Sequence, residues 1–403
     1  MSYDGVVKIY RNLTGTSSDV EITNWIDINS LNITAGRSTI TEQPSPSTAS
    51  FTVYSTSTDS PVPLDLNEQI RIMTFGTIDS TYGSCWFIGR VSDVSVAVEK
   101  WGNGEGLVGT RYTLVGDLSA LNRKLVGASG YPKQYDANRI VSILTDCSLN
   151  NSLLPLGVTY EIAAHTNGAT NALALAQEAA NSAKGVLYEK PLLYMGSWST
   201  YLTYDTSLTR LTNPIYELTT DEINALGFSL SASMTECATV VQVNNYAGTG
   251  TTYTAATSVT DAYGFQYGTR DTTLHNATDA QTIGQELLAS KQTPKYRIGS
   301  LSINLASPAI TSGTLGLMLP PVLGTRLSFT VPAPLNDPGL IPVAFEGFIE
   351  GYSVQFSRGQ IQVTLNLSNF GDLYPYTYWS TAETSTTTWA TAYTALTKWE
   401  NVI

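Results

Sequence analysis

Side chains able to do chemistry are few in this sequence, and they stand far apart. There are two histidines, His165 and His275. Each sits beside polar residues in a segment that reads as a loop, with no Cys/His cluster or Gly-X-Ser-X-Gly turn nearby, so a surface role fits better than a general base. The adjacent acids Asp221 and Glu222 have the residue types of a glycosidase pair. Directly after Thr220 they read better as the charged first turn of a short helix. Gly102-Asn103-Gly104-Glu105-Gly106 is glycine-rich, but no helix follows and no Lys-Ser/Thr pair ends it, which predicts a hairpin tip rather than a phosphate loop. Cys85, Cys147 and Cys237 are odd in number and widely spaced. They predict buried small hydrophobes and a reducing site of assembly, not a disulfide framework. Zinc spacing is missing. The sequence therefore implies no catalytic residue, no cofactor and no metal, and the expectation is a protein that is not an enzyme.

The richest candidates for recognition are aromatic. Trp379, Trp389 and Trp399 lie ten residues apart in a Thr/Ala-rich stretch that also holds Tyr376 and Tyr378. That spacing rotates them apart on a helix and keeps them on one face of a strand. An extended arm over 371–403 would offer them as anchors for pockets in a partner, because Trp and Tyr carry much of the energy of interfaces. Packing of the arm on its own chain is the competing reading.

The elements that must position these residues are mostly strands. Charged residues are only 13% of the 403, while the hydrophobic share is 42%. Polar surface then comes from Ser, Thr, Asn and Gln, a composition that suits pleated sheets better than surface helices. The formal net charge of −12 argues against tight binding to a phosphate backbone, which needs Lys and Arg. An acidic wall would instead let nucleic acid pass without sticking. No basic-then-apolar leader is visible at Met1-Ser2-Tyr3-Asp4, and no apolar run approaches the length of a membrane span.

Short alternating segments bounded by Gly, Pro, Asn or Asp mark strands at Val6–Tyr10, Ser50–Tyr54, Gln69–Met73, Phe87–Val98 and Arg111–Val115. Helical spacing begins only after residue 117, around Ile140, Ile143 and Leu144, and again from Ala172 to Ala183 with Gly185 as a stop. Strands return near Val240–Val243, Ser300–Leu305, Thr325–Phe329, Phe345–Phe356 and Ile361–Leu367, interrupted by an amphipathic helix from Asp279 to Lys291. The expected fold is mainly β with an α+β insert: two β-barrel domains at 1–116 and 223–370, a mixed α/β domain at 117–222, and the arm.

The two β-rich stretches share an order of landmarks. Val6-Val7-Lys8-Ile9 matches Val240-Val241-Gln242-Val243, the strand around Phe51 matches that around Leu301, and Leu66 before a turn matches Leu323. Phe87-Ile88-Gly89-Arg90-Val91 then matches Phe345-Glu346-Gly347-Phe348-Ile349, and Ser95-Val96 matches Ser353-Val354. The gap from Leu66 to Phe87 is 21 residues and that from Leu323 to Phe345 is 22. Agreement in both order and spacing predicts an internal duplication. No counterpart of the helix near Ile283 is found in the first copy.

This arrangement resembles the phage tail-hub (baseplate hub, minor tail protein) family, which includes hubs of contractile injection machines. The residues that carry the likeness are the two Phe-X-Gly strands and the helix-bearing stretch entered at Tyr112-Thr113-Leu114-Val115-Gly116-Asp117. The resemblance implies two tail-tube-like barrels and a homotrimer at the end of the tube. It also implies partners in the tail tube or distal tail protein, the tape-measure protein and tip or fibre proteins, with DNA only in transit. The place implied is the virion's tail tip, assembled in the host bacterial cytoplasm. Since no fibre or hydrolase module follows residue 403, a pure scaffold is expected. A carbohydrate-binding adhesin or receptor-binding β protein is the alternative, its aromatics serving as sugar platforms, and a cell-wall hydrolase ranks third.

Overall fold

The computed structural model describes residues 4–12, 19–56, 63–77, 81–100, 107–149, 152–153, 159–166, 168–219, 221–222, 227–231, 236–248, 250–294, 297–330 and 344–374. The first region contains strands β1 (Val6–Asn12), β2 (Ile26–Gly36), β3 (Ser45–Thr56), β4 (Gln69–Phe75), β5 (Ser84–Lys100) and β6 (Leu107–Gly116). The middle holds helices α1 (Asp136–Asp146) and α2 (Ala172–Ser182), the hairpin β7 (Val186–Tyr194) and β8 (Ser197–Asp205), and the short helix α3 (Ser207–Thr212). Then come β9 (Ile215–Leu218) and β10 (Gly227–Ser231), followed by β11 (Val240–Asn244), β12 (Gly250–Thr254), β13 (Tyr267–Asp271) and α4 (Ala277–Lys291). The last part runs through β14 (Arg297–Asn304), α5 (Ser312–Met318), β15 (Arg326–Thr330), β16 (Ala344–Ser357), β17 (Gln360–Asn369) and the single turn α6 (Phe370–Leu373).

The helices form where apolar spacing and caps coincide. Asn171 opens α2 by accepting the Ala174 N–H at 3.0 Å. Ile140, Ile143 and Leu144 of α1 meet Leu173 and Ala176 of α2 and Leu187 and Tyr204 of the hairpin in one buried cluster. Asp136 is the first residue of α1, and its buried carboxylate accepts from the Tyr204 hydroxyl at 2.7 Å.

The first region pairs in the order β2-β3-β6-β5-β4-β1, and the last part pairs β10-β14-β17-β16-β15-β9. Both orders map onto the same chain order, so the connectivity agrees strand for strand. Registers agree as well. Ile70 faces Gly89 and Ile72 faces Phe87 across β4/β5, as Leu327 faces Gly347 and Phe329 faces Phe345 across β15/β16. Phe51 faces Tyr112, and Leu301 faces Leu365. Before β4 and β15 the chain makes one turn twice: the Asn67 N–H donates to Val91 O at 2.8 Å, and the Gly324 N–H donates to Ile349 O at 2.8 Å. Both turn residues have positive φ, +68° and +78°, which Asn and Gly tolerate best. A Cβ on Gly89 would lie 2.5 Å from Val115 O, and one on Gly347 would lie 1.9 Å from Ser368 O. Each glycine is also roofed by the Phe two residues earlier, which explains the shared Phe-X-Gly.

Two expectations are corrected, and one difference between the regions finds its reason. The doubled valines are not equivalent: Val240-Val241 lies in β11, at the centre of a separate three-stranded sheet β12-β11-β13, and the strand in the place of β1 is β9. Even there the sense differs, since β1 runs antiparallel to β4 whereas β9 runs parallel to β15. The helix near Ile283 has no counterpart because α4 and the β11–β13 sheet are carried between β10 and β14, where the first region has only the short link from Gly36 to Ser45. That inserted unit packs on the middle region, with Val241, Val243 and Ile283 against Ile162 and Ala179. Finally, among the described residues the strands do not form two separate closed barrels. They belong to one 13-stranded sheet whose pairing order does not return on itself, because β16 takes β2 as a further neighbour. One core follows that sheet across both regions, from Phe51 and Trp86 to Val354 and Phe356.

Candidate functional site

Strand β16 outruns its neighbour β15. Residues Ala344 to Phe348 pair with β15, and the stretch beyond pairs with β2: Gly351 with Gly36, Tyr352 with Ala35, Ser353 with Thr34, Val354 with Ile33 and Gln355 with Asn32. A β-bulge between Ile349 and Gly351 separates the two stretches. Such an extra residue re-aims a side chain. Here it is Glu350, whose carboxylate is taken by Arg37, just past β2, with Nε to Oε2 at 2.7 Å, and by Arg210 of α3. The Ser368 hydroxyl adds a third donor at 2.6 Å. Side-chain exposures of 1–3% leave all three charges dry. Burial alone would raise the Glu350 carboxyl above its usual 4.5, but the Arg210 and Arg37 guanidiniums and Ser368 outweigh it and hold the group at about 2. Arg210 also lies over the Phe348 ring at 4.6 Å, and Arg326 over the Phe370 ring at 4.1 Å. One residue thus ties the first region, the middle and the last part together.

The same place in the first region looks different. Its bulge falls between Val91 and Asp93, so Ser92 takes the position of Glu350. Ser92 is exposed and donates to Thr113 O at 3.0 Å. Beyond it, Asp93 to Val98 run past the end of β4 and, among the described residues, pair only with β6. Val96 and Val98 are 66% and 57% exposed, while the matching Val354 and Phe356 are 0% and 1%. Val94 and Val96 border an apolar cleft of about 240 Å³ with Ile22, Trp25, Ile26 and Leu64.

The residues considered for catalysis have structural partners. His165 is half-buried, with Nε2 3.2 Å from Gly168 O, and its ring lies 6.3 Å from Tyr131. His275 stacks on Tyr246 at 5.6 Å. Glu222 is buried and accepts from the Thr219 N–H at 3.0 Å, the Thr311 hydroxyl at 2.7 Å and the Thr314 hydroxyl at 2.5 Å. Against the raising effect of burial these donors hold it at about 2, so it pins the start of α5. Asp221 beside it is exposed. Cys85, Cys147 and Cys237 are buried, as the sequence suggested. No group of three His, Cys, Asp or Glu able to hold a metal occurs among the described residues. Trp379, Trp389, Trp399, Tyr376, Tyr378 and the 102–106 glycine run lie outside the described residues.

Glu350, Arg37 and Arg210 were not singled out in the sequence. A signal existed: a lone acid inside the apolar run Phe348-Ile349-Glu350-Gly351-Tyr352 must find partners or unfold the strand.

No protein-family model and no curated protein sequence matches the chain. Solved structures do. The 43 kDa tail protein of prophage MuSo2 from Shewanella oneidensis superposes with a TM-score of 0.58 at 9% identity, over 91% of this chain and 98% of that one. The tail protein from Neisseria meningitidis MC58 gives 0.56 at 12%, over 91% and 98%. Prophage tail protein gp18 from Listeria monocytogenes EGD-e gives 0.54 at 12%, over 89% and 94%. The chain has the fold of phage tail proteins. Nearly the full length of both chains takes part in the match.

Proposed function

We propose that the chain is a structural tail-tip hub of a bacteriophage: three copies form a ring that docks on and closes the tail tube. The observation that carries the reading is the repetition, within a tail-protein fold, of strand order, register, αL turn and bulge in two parts of one chain. Three chains, each presenting two like units, make six similar positions about an axis, which suits a threefold particle to a sixfold tube. The units in this reading are the tube-like domains 1–116 and 223–370, the mixed α/β domain 117–222 and the arm 371–403, with β9 lent by the second unit to the sheet of the third and residues 236–291 as an excursion of the third unit toward the second. One side of the ring meets the tail tube or distal tail protein, and the other meets tip or fibre proteins. The central channel passes tape-measure protein and DNA, for which the net charge of −12 provides a non-adhesive wall. Trp379, Trp389, Trp399, Tyr376 and Tyr378 are the proposed anchors to neighbouring subunits. The role requires no reaction, and its place is the virion.

Negative-stain images and light scattering of the purified chain test this. Rings with sixfold appearance and the mass of three 43.4 kDa chains are expected. A monomer at all concentrations overturns the reading, and specific retention on a glycan array by that monomer would favour the adhesin.

A further inference from the structure

The two regions are matched in connectivity but not in company. β16 has β2 against its far stretch, whereas the equivalent stretch of β5, Asp93 to Val98, has an open edge among the described residues. The complementary half is open too. β2 is held on both sides, by β3 and β16, while its equivalent β10 pairs, among the described residues, only with β14. One chain therefore contains a finished joint, β16 with β2, and the two unjoined halves of a second joint of the same kind.

We propose that these halves meet between copies: the far stretch of β5 in one chain receives β10 of the next, as an antiparallel strand pair that repeats the internal joint. The partner is a second copy of this chain, and the reason is the internal joint itself. Equivalent registers set the pairing. Asn32 and Ser229 face Ser50 and Ser300, which are themselves equivalent. Gln355 pairs with Asn32 inside the chain, so Ala97 pairs with Ser229 between chains, and Val96 with Leu230. Burial points the same way. Val354 and Phe356 lie in the core shared with the first region, Phe356 edge-on to Trp86 at 5.7 Å. Val96 and Val98, in the matching places, are exposed, Val96 at the cleft lined by Trp25 and Leu64. Paired edges satisfy main-chain donors and acceptors that an open strand leaves to chance association. The contact is heterologous, head to tail, and such contacts close into rings when the rotation permits. Closure with three chains rests on the hub reading above; the strand joint follows from the internal one.

The test is a cysteine pair. In the full chain carrying Ala97→Cys and Ser229→Cys, oxidation should give covalent dimers and trimers on non-reducing gels, and neither single variant should. The native thiols are buried and serve as the background. Val96→Lys, at a position already exposed in one chain, should leave the monomer's melting unchanged and weaken association at least tenfold. Light scattering of the same samples separates two failures. A trimer that does not cross-link and ignores Val96→Lys overturns the joint and leaves the hub reading standing. A chain that stays monomeric overturns both.

Discussion

Ser92 and Glu350 occupy the same place in two β-bulges, and they have been put to opposite use. In the first region the bulge carries a small exposed hydroxyl and the strand beyond it has a bare edge. In the last part it carries a buried carboxylate that gathers two arginines from elsewhere in the chain, and the strand beyond it is paired. The backbone geometry is common property, and the side chain placed on it decides whether the unit is fastened from within or left open. A bulge residue has no partner directly opposite, so its side chain can differ while the pairing on either side is kept.

The largest effect should come from cutting the fastening. Glu350→Gln leaves Arg37 and Arg210 buried without a counter-charge, and should cost about 3–5 kcal/mol in urea unfolding. Ser92→Ala should stay within about 0.5 kcal/mol. Equal losses at the two sites would break the comparison.

Next in size are the glycines that the two regions share. Gly89→Ala and Gly347→Ala both push a methyl into a neighbouring carbonyl, so each should lose about 1–3 kcal/mol, with Gly347 the worse of the pair. A large loss at one and none at the other would mean that the two strands are alike in order only.

Acid and base should pull the two attachments apart. Glu350 and Glu222 sit at about 2 in the folded chain against a usual 4.5, so their contribution is complete above pH 4.5 and is lost as pH falls toward 2. Glu189 of β7 behaves in the opposite way. It accepts the Ser47 N–H of the first region at 3.1 Å, and burial, partly offset by hydrogen bonds from Ser47 and Leu118, raises it to about 7. Its contribution is complete below pH 4.5 and is lost as pH rises through 7. Glu189→Gln should therefore gain about 3 kcal/mol on the parent between pH 4 and pH 8, measured as the difference in unfolding free energy. A gain that does not depend on pH would contradict that assignment. The smallest effect is expected at the repeated turn, where Asn67→Gly should change stability by no more than about 0.5 kcal/mol because both residues accept φ near +68°.

Much of this fold could be read from residue order. Phe87-X-Gly89 and Phe345-X-Gly347 were legible because a ring packed over a bare backbone needs those two residue types at that spacing. Ala172 to Ala183 announced α2 through its alanines and the Gly185 stop after them, whereas the cap at Asn171 was not picked out. Other features left no such mark. Val240-Val241 alternates as any strand does, so pattern alone could not say which sheet it joins. The parallel sense of β9 and the pairing of β16 with β2 are long-range choices with no local sign. The candidate site was legible only as a lone acid in an apolar run, since its partners stand 313 and 140 residues away.

The seam between β2 and β16 is stitched by amides and carbonyls, which are the same in every residue except proline. Such a seam asks little of the alphabet above it. Almost all side chains can differ, as in the 9–12% identity between this chain and the three tail proteins it superposes on, while the architecture stays intact. Likeness in molecules of this kind is better sought in the path of the chain than in its spelling.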